Sequence, residues 1–144
     1  MSLRNEIAKN IEEVLQDIRD PRPVLVTREP FDVEKLAITQ FPAMLIATGS
    51  EERDTETMGS SGVRRGTIQF QLRGFQRGTE LDNKRNQLIE AIEEALDSDR
   101  YRSKTSGQVQ NSMVASVEVI ERLAPLAEFV INFEVTYYFQ RGSA

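Results

Sequence analysis

Apolar positions recur along this chain with two different periods. Leu3, Ile7, Ile11, Val14, Leu15 and Ile18 fall on one stripe of a 3.6-residue repeat, which predicts an amphipathic helix over 3–18. Pro21 ends it, because the residue before a proline is pushed out of the α region. Asp20-Pro21-Arg22-Pro23 reads as a stiff turn, Val24–Thr27 as a short strand closed by Pro30, and 33–38 as ambiguous, at most one helical turn. Phe41-Pro42 leads into Ala43-Met44-Leu45-Ile46-Ala47-Thr48, a short apolar run bounded by Pro and Gly49, the pattern of a strand buried on both faces. Residues 49–62, GSEERDTETMGSSG, are polar and long for a connection within one domain, so they read as a functional or mobile loop.

From Val63 to Phe75 the period changes to two. Ile68, Phe70 and Leu72 alternate with Gln69, Gln71 and Arg73, a half-buried strand. Thr79 to Asp82 fits a capping box opening a second helix, whose stripe is Leu81, Leu88, Ile89, Ile92, Ala95 and Leu96. A polar loop over 98–112 follows, then a strand over 114–121, a turn over 123–127 containing Pro125, and a last strand. In that strand Phe129, Ile131, Phe133, Val135, Tyr137 and Phe139 face one way. The order α–β–β–β–α–β–β predicts a single α+β domain over 1–144. It is a two-layer sandwich: a mostly antiparallel sheet of about five strands, two amphipathic helices on one face, and the long polar loop 49–62.

Composition narrows the function more than the fold. The chain holds 144 residues, enough for one core and too few for two. No Cys and no His occur, which excludes a disulfide framework, a thiolate nucleophile, a Ser-His-Asp triad and a His-ligated metal from this sequence. No run of 18 apolar residues exists, so no membrane-spanning helix is expected, and the charged start MSLRNEIAKNIEE lacks a secretory apolar region. A formal charge of −5 argues against nucleic-acid binding as the main task.

Individual motifs carry little chemistry. Glu51, Glu52, Asp54 and Glu56 form an acidic cluster that would suit Mg²⁺ or Ca²⁺, yet the EF-hand spacing is absent and solvated loop charge is the simpler reading. No carboxylate pair stands out for glycoside chemistry, and Glu34-Lys35 has the wrong spacing for an acid-acid-lysine nuclease. Gly74 and Gly78 precede helix two as a phosphate loop would, but the Walker Lys-Ser/Thr is missing; turn glycines are the plainer explanation. Arg64–Phe70 faintly matches an RNA-stacking strand, with Thr67 where an aromatic is needed. Arginine outnumbers lysine 14 to 4. Arg64, Arg65, Arg73, Arg77, Arg85, Arg100 and Arg102 are either a solvated face or an oligomer interface, pairing with the acids of 49–62 in a neighbouring copy.

The order and character of these segments resemble the tail terminator (tail completion) proteins of long-tailed bacteriophages. The resemblance rests on the N-terminal helix Leu3–Ile18, on the Phe41-Pro42 lead into an apolar strand ending Gly49-Ser50-Glu51, and on the alternating strand over 62–76. It rests further on the helix Leu81-Asp82 through Leu88, Ile92, Glu93, Ala95, Leu96 and Asp99, and on the closing Val135-Thr136-Tyr137. It spans nearly the whole chain. It implies a virion structural protein without enzyme activity or cofactor. Such a protein forms a six-fold ring on the head-proximal end of the tail tube, stops tube polymerisation and joins the tail to the neck.

The partners so implied are other copies of the chain, the tail tube protein, the neck (stopper) protein and, if the tail is contractile, the sheath. DNA passes only as non-sticking cargo, and no membrane is involved. The site of action is the virion tail or neck, with the host cytoplasm during assembly. The 49–62 segment would be the arm reaching to neighbours. Its interface residues would be Glu51, Glu52, Arg53, Asp54, Glu56 and Met58, with Arg64, Arg65, Arg73, Arg77, Arg100 and Arg102. A different neck or minor tail protein, or a soluble non-enzymatic adaptor, are the alternative readings.

Overall fold

The two alternating segments pair with each other along their whole length. In a computed structural model that describes residues 2–55, 63–105 and 108–140, β3 (Val63–Arg77) runs antiparallel to β5 (Leu126–Gln140), from Val63 opposite Gln140 to Arg77 opposite Leu126. β2 (Ala43–Thr55) flanks β3 antiparallel, β4 (Gln108–Ile120) flanks β5 antiparallel, and β1 (Leu25–Thr27) adds parallel to Ala43–Leu45. The sheet order is β1-β2-β3-β5-β4. The α+β sandwich with a mostly antiparallel five-stranded sheet is the architecture the sequence predicts.

One face of the sheet meets both helices, α1 (Leu3–Gln16) and α2 (Leu81–Asp97). Met44 and Ile46, Ile68, Phe70 and Leu72, and Phe129 through Tyr137 at alternate positions bury their side chains against Ile7, Ile11 and Leu15 of α1 and Leu88, Ile92 and Leu96 of α2. Period two meets period 3.6 in this layer. Ser2 caps α1 by accepting from the Asn5 amide at 3.2 Å.

Two glycines fit the close packing. Gly66 lies opposite Tyr137 and Gly74 opposite Phe129, and each aromatic ring covers the bare backbone. A Cβ on Gly74 would sit 2.1 Å from the Phe129 ring, and one on Gly66 would sit 2.9 Å from Tyr137. Gly74 is therefore a packing residue of a strand rather than part of a phosphate loop.

The other face is polar along most of its length. Thr67 and Thr136 approach at 3.4 Å, Gln69 donates to Glu134 at 2.5 Å, and Asn132 donates to Ser116 at 2.8 Å. At one end it is covered: Val33, Phe41, Ala43 and Phe75 form a second apolar cluster with Leu25, Phe31, Leu36 and Leu126. The segment left ambiguous by the sequence supplies this lid as two 3₁₀ turns, Val33–Lys35 and Ile38–Gln40. The β2 run is thus buried on both faces only at its start, and Thr48 is exposed.

Three local expectations are corrected. Residues 49–55, expected in a loop, continue β2 and pair with β3 as far as Thr55 opposite Arg64, so the charged residues there hydrogen-bond as a ladder. Residues 108–112 likewise belong to β4. The Thr79–Asp82 capping box does not form. The chain turns through Gly78 (φ 128°) and Glu80 (φ 52°), so Glu80, in the left-handed region, stands at the N-cap with no side-chain cap bond.

Candidate interaction surface

Because 49–55 is strand, Glu51, Glu52 and Arg53 have fixed faces. Between Thr48 and Glu51 the register slips: Thr48 pairs with Phe70 and Glu51 with Ile68, so Gly49 and Ser50 together oppose Gln69. A Cβ on Gly49 would lie 2.5 Å from the Gln69 carbonyl oxygen, which leaves room only for glycine. The bulge turns Glu51 onto the helix-covered face and Glu52 onto the open one.

Glu51 is consequently an internal anchor. Its side chain is 8 % exposed; Oε2 accepts from Arg53 Nε at 2.5 Å and from the Tyr137 hydroxyl at 3.0 Å, and Oε1 lies 3.6 Å from Arg4 Nε on α1. Burial first, then the Glu51 hydrogen bond and charge, push the Tyr137 hydroxyl up to about 12. The Arg53 guanidinium, bonded to Glu51, is raised above its ordinary value. This network ties the outer half of β2 to β5 and to the first turn of α1. Deleting residues 50–55 would therefore remove this network together with paired strand.

Arg64 and Arg65 lie across the ladder from Thr55 and Asp54, and Arg64 Nη2 donates to the Arg53 carbonyl at 3.4 Å. Of the arginines that the sequence pairs with acids of a neighbouring copy, Arg64 and Arg65 thus stand beside the end of β2 within one chain. Arg73 and Arg77 sit toward the far end of β3, roughly 25–45 Å from Arg64 and Arg65 at about 3.3 Å per residue. Arg73 donates to Glu128 at 3.3 Å, and Arg122 reaches the other oxygen of Glu128 at 2.5 Å. Glu128, only 2 % exposed, is a residue that the sequence reading did not single out. Arg100 donates to Asn111 at 3.1 Å and lies over the Tyr101 ring. Glu56 and Met58 lie outside the described residues.

Arg102 is a correction. It is fully buried, so it cannot reach a neighbouring copy. The last turn of α2 carries no basic residue, and the chain folds Arg102 back beneath it, donating from Nε to the Asp99 carbonyl at 2.7 Å and from Nη2 to the Leu96 carbonyl at 2.5 Å. Burial lowers its pKa, with Asp99 and Asp97 opposing the shift. The candidate arginines and acids therefore form separate structural groups. Among the described residues, no three carboxylates gather as metal ligands would. A groove of about 480 Å³ beside the C-terminal ends of both helices is lined by Asn10, Asp17, Ser98, Asp99, Ser103 and Lys104, and in it the Ser103 hydroxyl and amide both donate to the Asp99 carboxylate at 2.9 Å, closing the turn after α2.

What remains outward is the sheet's rim. β4 pairs only with β5, and β2 beyond Leu45 pairs only with β3 among the described residues. Met113, Val117 and Val119 of β4 are 47 %, 37 % and 52 % exposed.

No protein-family model matches this chain, and no curated protein matches it. Among solved structures, a chain from the virion of a native gene transfer agent particle is similar, at 9 % identity, with a TM-score of 0.52 and 96 % of each chain covered. The likeness is one of fold, and it runs from end to end of both chains.

Proposed function

We propose that this chain is a phage-type virion structural protein, and specifically a tail terminator. Copies would form a ring, six-fold by the resemblance, that caps the head-proximal end of the tail tube and joins it to the neck. The observation that carries the virion reading is the end-to-end likeness of fold to a chain of a gene transfer agent virion. The finer role is supported by the order of sequence features from Leu3–Ile18 to Val135-Thr136-Tyr137. A ring of six at −5 per chain is strongly acidic, and an acidic bore repels DNA and lets it slide.

The test is the mass in solution by light scattering from dilute to concentrated samples, with single-particle images of the same material. Six copies of a 16.4 kDa chain, about 98 kDa, with a central hole are expected, as is capture by purified tail tubes. A chain that stays monomeric and that no tube captures overturns the ring and favours an adaptor. A ring whose bore is basic overturns the account of DNA passage.

A further inference from the structure

We propose that the uncharged outer edge of β4 pairs, antiparallel, with the free outer half of β2 in the next copy, so that the ring is closed through one continuous sheet. The inference deepens the ring reading and rests on it.

The argument starts from backbone accounting. An edge strand presents a row of unpaired N–H and C=O groups, and soluble proteins blunt such edges with charge, proline or bulges. This sheet has two long free edges among its described residues. β1 covers β2 only at Ala43–Leu45, which leaves 46–55 open, and β4 is open throughout. The β2 edge carries Glu51, Glu52, Arg53 and Asp54, whereas residues 108–117 of β4, QVQNSMVASV, carry no charge and no proline. Within 108–117 the blunting devices are the slips at 110 and 115 and Arg100, which bonds Asn111 from the preceding turn, while Met113 and Val117 stand exposed.

The two edges match in level. Following the ladder across the sheet, Asp54, Arg65, Tyr138 and Gln108 share a row, Glu52, Thr67, Thr136 and Asn111 another, and Ile46, Leu72, Ile131 and Val117 a third. The uncharged stretch 108–117 of β4 thus spans the same rows as the part of β2 that β1 leaves free. The three remaining residues of β4, 118–120, are level with the part that β1 covers. A neighbour generated by rotation about an axis along the strands, without a shift, brings these stretches side by side.

Polarity agrees as well. β2 and β4 run in opposite directions within the chain, so the seam is antiparallel like the pairings on either side of it. Such a contact is heterologous, with different patches on its two sides, and that kind of contact closes rings.

Because the chain has no cysteine, disulfide trapping gives a direct test. Glu52→Cys and Asn111→Cys share a row but lie three strand spacings apart within one chain, about 14 Å. A disulfide needs Cα atoms within about 7 Å, so any bond in the double variant joins two copies. Mild oxidation should give a covalent ladder ending at the ring size, which E52C alone and N111C alone do not give. An oligomer by light scattering with no ladder overturns the edge pairing and leaves the ring reading standing. Dimers from N111C alone, with a two-chain mass, mean β4 pairs with itself about a two-fold axis and overturn both. A monomer at all concentrations also overturns the pairing. As a second readout, Met113→Lys with Val117→Lys should lose the multimer while the monomer keeps its thermal transition; an unchanged multimer counts against the edge.

Discussion

Adding one methyl group at Gly74 tests the packing of the central strands. Replacing a strand glycine by alanine ordinarily stabilises by about 0.5–1 kcal/mol, because alanine loses less backbone freedom on folding. Here the new Cβ would stand 2.1 Å from the end of the Phe129 ring, against about 3.5–4.0 Å for an ordinary carbon contact. The ring is fully buried, so it cannot swing into solvent; it or β3 must move by roughly 1.5 Å inside a packed layer. Overpacking of this kind costs about 1–3 kcal/mol, which exceeds the entropic gain, so Gly74→Ala should destabilise by about 1–2 kcal/mol. With a urea slope of about 2 kcal/mol/M, the midpoint falls by about 0.5–1 M at unchanged slope. The sharper result is a change of sign. In a Phe129→Ala background the ring is gone, and the same Gly74→Ala change should be neutral or stabilising. An equal cost in both backgrounds would refute the ring contact as the cause.

Phe133→Ala, at a fully buried position facing the helices, should cost about 3–5 kcal/mol in chemical denaturation, and a loss below about 1 kcal/mol would mean the sheet face is inverted. Tyr137 sits at 10.0 unfolded and about 12 folded, so its stabilising contribution is full below pH 10 and lost as pH rises through 12. Tyr137→Phe should flatten stability across that window and remove a tyrosinate absorbance step near pH 12. Arg102→Met should lower stability by about 2–3 kcal/mol through loss of the buried bonds to the α2 carbonyls, and Arg102→Lys should restore little, lacking the guanidinium fork. Glu128→Ala should cost about 1–3 kcal/mol through loss of two charge-assisted bonds, its arginine partners being 43 % and 32 % exposed and able to turn to water, and equal stability in a thermal melt would refute that.

The sandwich was legible because its strongest signals are local. Ile68-x-Phe70-x-Leu72 and Phe129 through Tyr137 state which face is inward, and the two helical stripes state what covers it. Residues 49–55 hid because backbone pairing does not require apolar side chains. Glu51 to Thr55 lack the composition of a strand, and β3, long enough to pair with them, draws them into the ladder. Arg102 hid for a related reason. Glu93, Glu94 and Asp97 at the end of a helix with no basic residue in its last turn were the available sign that a cation must come from beyond it. The Glu51–Tyr137 contact was not legible, because it depends on the Gly49–Ser50 register slip, which changes the pleat parity and leaves no mark in composition.

The position of β5 has a consequence for how the chain comes off the ribosome. Of the five described strands it is the last in chain order and lies between β3 and β4, and it contributes Phe129, Ile131, Phe133, Val135 and Tyr137 to the main core. Until it emerges, β4 has no neighbour and β3 lacks the strand that covers its glycines. A nascent chain therefore holds its helices and the β2–β3 hairpin without a finished sheet, and folding waits on a pairing between distant parts of the sequence. Quality control follows from that order of synthesis: an interrupted translation product cannot offer a neighbour a correctly built β4 edge.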